Sequence, residues 1–324
     1  GSTEVAESGT TDTFTVVLDA QPASDVVLTI SSDDTGEATV TGTLTFTSAN
    51  WDTAQTVTVT GVDESIIDGD QTSTITVTID DANSDNNFDS VADQTISATT
   101  TDDDVPGFTI VESDGSTSVD ESGTTDTFTI VLDAQPASDV VLTISSNDTG
   151  ETTTTGTLTF TSANWDTAQT VTVTGADDFI LDGNQSSVIT ISIIDAISDN
   201  SFDSVADQTV SATTTDDDVA GFTIVESDGS TEVAESGTTD TFTVVLDAQP
   251  TSDVVLTITS DDTGEATVTS TLTFTSANWD TAQTITVTGV DDDLIDGDIV
   301  STVTVVVDDA NSNDDFDSVV DQTV

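Results

Sequence analysis

Carboxylates are nearly the whole chemical repertoire of this chain: its 324 residues hold 63 aspartates and glutamates and no lysine, arginine, histidine or cysteine, for a formal net charge of -63. They gather in runs. Asp102-Asp103-Asp104 and Asp216-Asp217-Asp218 each close a strand-like stretch, and like charges that close repel one another unless a cation sits among them. No basic side chain can serve, so the counter-charge must come from solution. Carboxylate oxygens, supplemented by backbone carbonyls and water, are the donor set of Ca2+, which takes about six to eight ligands at ~2.3–2.6 Å. Magnesium sheds its water reluctantly and suits such sites less, and zinc and copper favour the histidine and cysteine that are absent. The competing reading of any single aspartate is a turn former on a solubilising surface.

The same inventory excludes whole classes of function. A field this negative repels phosphate backbones and anionic membrane surfaces, which rules out nucleic acid as a partner. No apolar run approaches the ~20 residues of a membrane span, so direct membrane insertion is not expected, and without a signal peptide the sequence reads as an internal piece. A Ser-His-Asp set, a thiol nucleophile or a basic anion clamp cannot be built. Paired acids that hydrolyse glycosides sit in a cleft with positioning groups, whereas these lie in polar loops, so the chain reads as no enzyme. High charge with few aromatics is also the composition of disorder. Against disorder stands the alternation of valine, isoleucine, leucine and phenylalanine with threonine, which is strand sequence.

The acids are positioned by a repeat. Glu7-Ser8-Gly9-Thr10-Thr11-Asp12 returns at Glu121 and Glu235, a spacing of 114 residues, and Trp51, Trp165 and Trp279 keep the same step. A unit this long is a domain in itself. Boundaries after the triple aspartates give repeats 1–104, 105–218 and 219–324. The first lacks a counterpart of Gly107-Phe108-Thr109-Ile110-Val111-Glu112 and the third stops before a counterpart of Asp216 to Asp218. Both ends look cut from a longer array; the sharper alternative is that a neighbouring molecule supplies the missing strand.

Within the middle repeat seven strands are predicted, near 107–112 (continuing at Ser118-Val119), 126–133, 139–145, 157–160, 168–174, 187–195 and 207–215. Turn residues divide them at Gln135-Pro136, Asn147-Asp148-Thr149-Gly150, Gly175 and Asp182-Gly183-Asn184. The expected fold is all-β: three tandem seven-stranded, immunoglobulin-like Greek-key sandwiches in an elongated rod. In an antiparallel sandwich alternate loops share a pole. The loops after the first, third and fifth strands should therefore meet where the last strand ends. They carry Glu121, then Asp148 and Glu151, then Asp177, Asp178 and Asp182, and they join Asp216, Asp217 and Asp218. The equivalent acids are Glu7, Asp34, Glu37, Asp63, Glu64, Asp68, Asp102, Asp103 and Asp104 in the first repeat, and Glu235, Asp262, Glu265, Asp291, Asp292 and Asp296 in the third. A convergent set of this kind is a candidate Ca2+ site.

Val119-Asp120-Glu121-Ser122-Gly123, Phe128-Thr129-Ile130-Val131-Leu132, Leu158-Thr159-Phe160, Gly175-Ala176-Asp177-Asp178 with Asp182-Gly183, and Asp216-Asp217-Asp218 together resemble a Calx-β domain. That family is named from sodium–calcium exchangers and recurs in tandem in large bacterial surface proteins and adhesins. The resemblance implies a seven-stranded sandwich binding several calcium ions at the pole facing the next domain, with Glu121, Asp148, Asp177, Asp178, Asp182 and Asp216 to Asp218 as ligands. One stretch departs from the family: Phe179, Ile180 and Leu181 stand where it usually carries further glutamates. An EF-hand does not fit, because Gly297 at its sixth position puts Leu294 where a ligand belongs.

At the opposite pole Pro136, Trp165 and Phe202 come together with Asp199, Asp203 and Asp207. There Trp165 packs against the preceding repeat, the favoured reading, stacks on a sugar, or plugs the bottom of its own sandwich. The function expected is structural: a calcium-rigidified extender of a bacterial cell-surface adhesin or extracellular filament, with neighbouring repeats or other copies of itself as partners. The alternatives are a multivalent module for a glycan or surface ligand, and a filament subunit joined by strand complementation.

Overall fold

The computed structural model describes residues 2–295 and 297–324. The chain is all-β and immunoglobulin-like, with a few one-turn 3-10 helices and no α-helix among the described residues. In the middle repeat a five-stranded sheet runs in the order Thr117–Asp120, Gln208–Thr215, Gln185–Ile193, Val140–Ser146, Thr157–Phe160. Opposite it lies a four-stranded sheet of Thr152–Thr154, Gln169–Gly175, Thr125–Leu132 and Phe108–Glu112. Period-two patterning decides which faces meet: Phe128, Ile130 and Leu132 are buried while Thr127, Thr129 and Val131 between them stay half-exposed. Phe128, Leu142, Phe160, Ile189, Ile191 and Phe202 fill the core, each contributing about 1.5–3 kcal/mol by leaving water.

Similar sheets recur on either side. In the first repeat Ser2–Ala6, Gln94–Thr101, Gln71–Ile79, Val26–Ser32 and Thr43–Phe46 face Thr11–Val16, Gln55–Gly61 and Ala38–Val40. In the third, Thr271–Phe274, Val254–Ser260, Val303–Val307 and Gln322–Thr323 face Phe222–Glu226, Thr239–Leu246, Gln283–Gly289 and Ala266–Val268. Three separate apolar clusters result, one for each set of sheets.

Several details differ from the sequence expectation. The first strand of the middle repeat is two strands in different sheets: Phe108–Glu112 pairs antiparallel with Thr125–Leu132, and Thr117–Asp120 pairs parallel with Gln208–Thr215. The crossing runs through Gly115, at φ 81°, a left-handed conformation that favours glycine. The loop after Val140–Ser146 contains the short strand Thr152–Thr154, which hydrogen-bonds to the edge at Gly175. Loops near the far pole wind into 3-10 turns at Asp195–Ile197 and Asn200–Phe202, and the second delivers Phe202 to the core.

Among the described residues, contacts between repeats recur at an equivalent place. Ile180–Leu181 pairs in parallel with Gln249–Pro250, and Ile66 bridges to Gln135 in the same way. Ile67 packs against the middle cluster and Leu181 against the third. The rings of Phe179 and Trp279 stand 6.0 Å apart, tilted by 39°. The Trp279 ring therefore touches the preceding repeat as well as the core of its own; Trp165 packs against the core of its own repeat, and because the counterpart of Phe179 there is Ser65, no such ring pair forms.

Candidate metal centre

The pole where Gln208–Thr215 ends is built from backbone upward. Glu121 follows directly on Thr117–Asp120, and its amide continues the parallel ladder by donating to Thr215 O at 3.1 Å. A tight turn holds it: Thr124 Oγ1 accepts from the Asp120 amide at 2.6 Å, and Gly123, at φ 86°, donates to Asp120 O at 3.1 Å. Gly175 is needed for the approach, since a Cβ there would lie 2.0 Å from Asp120 O. Glu151 is fixed from the other side by Ala176, whose amide donates to its carbonyl at 2.8 Å, and by Thr214 Oγ1 at 3.3 Å. Asp216 ties the last two loops, accepting from the Gly183 amide at 2.7 Å and the Asp218 amide at 2.9 Å.

These segments bring carboxylate oxygens of Glu121, Glu151 and Asp182 within 4.8 Å of one another, and likewise those of Glu121, Asp216 and Asp218. In the first repeat the groups are Glu7, Glu37, Glu64 and Asp68, and Glu7, Asp102 and Asp104. Glu7 and Glu121 each belong to both groups of their repeat. A spread of this size suits oxygens disposed around a centre ~2.3–2.6 Å away.

Burial makes these acids unusual. Glu7 is 0% exposed and Glu121 1%, and none of their four carboxylate oxygens has a hydrogen-bond partner. Buried oxygens without partners occur also on Glu37, Glu64, Asp104, Glu151 and Asp218. Desolvation, followed by repulsion from Asp216, Asp178, Glu151 and Asp182, pushes Glu121 up to about 7 from 4.5. Desolvation with Asp102 and Glu37 does the same to Glu7, which also rises to about 7; the Asp103 backbone works against this rise without forming a hydrogen bond of good geometry. Glu37, Glu64, Asp104, Glu151 and Asp218 are raised as well, in each case chiefly by burial and then by neighbouring acids.

Asp85 and Asp199 at the opposite pole provide the contrast. They are 6% and 7% exposed, yet both are satisfied. Asp85 accepts from the amides of Ala23, Ser24 and Asn87 at 2.7, 3.1 and 3.0 Å, and these bonds hold it below the usual range. At Asp199 burial works to raise the carboxyl, but bonds from Ser201 and Ser138 outweigh it and the net shift is downward. The third repeat has the neutral Asn313 in this position. An acid whose charge is met by the fold can be exchanged for an amide; Glu7 and Glu121 have nothing of that kind, and a bound cation is what would meet their charge.

Other predicted residues take different places. Asp34, Asp148 and Asp262 each turn Oδ1 back to the amide two residues on, at Gly36, Gly150 and Gly264, as turn formers. Asp63, Asp103, Asp177 and Asp217 lie beside the clusters without joining the grouped oxygens. Asp178, one methylene shorter than its counterpart Glu64, caps the Ile180 amide at 2.7 Å and faces Glu121 as a neighbouring charge. In the third repeat no such group forms among the described residues. Glu235 is half-exposed, Thr231–Ala234 is not a strand, and the final strand extends only over Gln322–Thr323. Glu265 and Asp291 lie outside any group, Asp292 caps Leu294 at 2.7 Å, and Asp296 falls outside the described residues.

No protein-family model and no curated protein matches the chain. Among solved structures it is similar to the calcium binding domain CBD12 of CALX1.1, at 14% identity over 59% of this chain and 77% of that one, with a TM-score of 0.25. It is also similar to domains 4 and 5 of the S-layer protein SbsC, at 18% identity, 58% and 70% coverage and a TM-score of 0.28. The titin I-band fragment I67-I69 aligns over 99% of this chain and 93% of its own at 10% identity, TM-score 0.29.

Proposed function

We propose that this chain is a calcium-stiffened structural segment of an extracellular surface protein, of the adhesin or filament type, with domain boundaries at 104/105 and 218/219. The observation that carries the reading is the pair Glu7 and Glu121: carboxylates without exposure or hydrogen-bond partner, each at the centre of further acids. Desolvated anionic oxygens so arranged fit a hard divalent cation, and this chain contains no cationic side chain to fill that role. Glu7 and Glu121 would bridge two adjacent cation positions, flanked by Glu37, Glu64, Asp68, Asp102 and Asp104 in one repeat and by Glu151, Asp182, Asp216 and Asp218 in the other.

Stiffening follows from which residues share a loop. Residues 62–69 contribute Glu64 and Asp68 to the acid cluster and Ile66 and Ile67 to the next repeat; residues 176–183 contribute Asp182 and then Ile180 and Leu181. Ordering the loop around a cation thus presents the apolar contact to its neighbour, and a cation bound only by the ordered state adds stability by mass action. Repetition of near-identical units suits length, and the ring contact of Phe179 with Trp279 employs that tryptophan in packing.

Calorimetric titration of EDTA-stripped protein with calcium, and separately with magnesium, tests the reading, alongside solution scattering. Calcium should bind at more than one site, raise the melting temperature and lengthen the maximum dimension, with magnesium weaker. No heat of binding, together with scattering and melting curves unchanged by calcium, would refute it.

A further inference from the structure

The two joints between repeats share one element and then diverge. The Gln135 amide donates to Ser65 O and the Gln249 amide to Phe179 O, both at 2.6 Å. At the first joint the parallel pairing is a single bridge of Ile66 with Gln135, supported by the Ile67 amide on Gln135 O at 3.3 Å and by Ile67 against the middle core. At the second it continues from Ile180 opposite Gln249 to Leu181 opposite Pro250, and Leu181 packs against the third core. Phe179, although 59% exposed, adds its ring contact with Trp279; Ser65 has no ring to offer.

The acids are distributed differently as well. Four residues bring carboxylate oxygens together in the first repeat, and two of them, Glu64 and Asp68, belong to the joint loop, one on either side of Ile66 and Ile67. Among the described residues, the loop of the second joint gives its cluster Asp182 alone, which follows Ile180 and Leu181. Ahead of that pair, Asp178 places its Oδ1 on the Ile180 amide at 2.7 Å and so braces the loop from within. Glu64, one methylene longer, carries its Oε1 into the cluster instead, where it is buried without a partner.

The other members of the first cluster are held by the sheets. The Glu7 amide donates to Thr101 O at 3.2 Å, and Glu37 O accepts from the Val62 amide at 2.9 Å and from Thr100 Oγ1 at 3.2 Å. Their side chains are 0% and 7% exposed and carry oxygens without hydrogen-bond partners. Without a cation, repulsion among the four carboxylates therefore acts on the element freest to yield, residues 63–68, which form no strand beyond the Ile66 bridge. Since its two acids flank Ile66 and Ile67, drawing them out of the cluster carries both isoleucines off Gln135. At the second joint the same repulsion reaches the loop past its docking residues, which keep their cap, ladder and ring contact.

We propose that the first joint is a calcium-operated hinge and the second a fixed coupling. Withdrawal of calcium frees the first repeat to swing about residues 63–68, while the middle and third repeats continue to move as one body. A few loop residues that absorb the motion are the usual build of a hinge. The proposal rests on the calcium reading above and adds to it which joint the cation controls.

The chain has no native cysteine, so nitroxide labels can be placed at Thr45, Thr159 and Thr273, exposed and equivalent positions in the three repeats. Full-chain variants Thr45→Cys/Thr159→Cys and Thr159→Cys/Thr273→Cys, measured by double electron–electron resonance, should both give narrow distance distributions in millimolar calcium. In EDTA the first should broaden severalfold and the second should stay narrow. Adding Glu64→Asp and Ser65→Phe, which gives the first loop the residues of the second, should keep the first pair narrow in EDTA. Broadening of both pairs, of neither, or of the second alone would overturn the proposal, as would a first pair that still broadens after the exchange. Loss of the first repeat's amide dispersion in EDTA would make the broadening unfolding instead of hinge motion and overturn it equally. Calorimetric titration of the same samples separates the two levels. Calcium binding with an unchanged first pair refutes the hinge alone, whereas no heat of binding refutes the calcium reading and the hinge together.

Discussion

Glu121→Gln should act in opposite directions with and without calcium. The substitution keeps the shape of the side chain and removes its charge. In the metal-free fold Glu121 is held at about 7 against 4.5 for an ordinary glutamate, so between those values the folded state carries a proton that the unfolded state has lost. Stability from this group is then fully present below about pH 4.5 and disappears as pH rises through about 7. Integrated over that window, the metal-free repeat is less stable at pH 7.5 by about 3 kcal/mol on account of Glu121. At 1% exposure solvent offers little relief. In EDTA at pH 7.5, glutamine should therefore recover up to about 3 kcal/mol, on the order of 10 °C in melting temperature for a unit of this size. It should also flatten the pH profile. In millimolar calcium the same variant should be the less stable protein, because it forfeits the ligand shared by both groups of acids. Calorimetry of the full chain measures the signs, and hydrogen exchange at Thr117–Asp120 assigns them to the middle repeat. A variant that is less stable in EDTA as well, or that gains as much from calcium as the parent, would show that something other than a cation meets the charge of Glu121.

Two further substitutions probe the supports of the site. Gly175→Ala would push a methyl group to within 2.0 Å of Asp120 O, so it should cost about 1–3 kcal/mol and weaken calcium binding by displacing Glu121; an unaltered calcium isotherm would show that the site does not depend on that backbone approach. Leu181→Asp should loosen the contact with Gln249–Pro250 and the third core, lowering the third repeat's stability by about 1–2 kcal/mol. Residual dipolar couplings should then report independent tumbling of the second and third repeats, and a retained common alignment would refute the role given to this loop.

The alternation of apolar residues with threonine made the long strands legible, because period two and a half-buried sheet are the same statement in sequence and in space. Thr152–Thr154 was invisible for the same reason: three threonines carry no alternation, and only the partner edge at Gly175 makes them a strand. Strand parity put the acid-bearing loops at one pole, yet residue type alone could not divide the acids there. Asp34 and Asp148 turn back on their own loops, while Glu37 and Glu151, three positions later, line the clusters. That difference rests on a glycine two residues on that can donate its amide. Phe179, Ile180 and Leu181 looked like a departure from a metal-binding loop; their places are taken up by the adjoining repeat, a partner that no reading of the loop by itself supplies.

The parallel pairing of Thr117–Asp120 with Gln208–Thr215, and of Ser2–Ala6 with Gln94–Thr101, determines how these repeats respond to force. Tension along the chain draws the earlier strand toward its own start and the later strand toward its own end, in opposite senses. In the middle repeat, once Phe108–Glu112 has peeled away, the ladder from Thr117 opposite Ala212 to Asp120 opposite Thr215 lies across the line of pull. Its bonds are loaded in shear and must yield together, not one after another as a hairpin unzips. A cation between Glu121 and Asp216 would fasten that ladder where the later strand leaves. Calcium would then set the breaking strength of each link, through the unfolding rate that governs rupture under load.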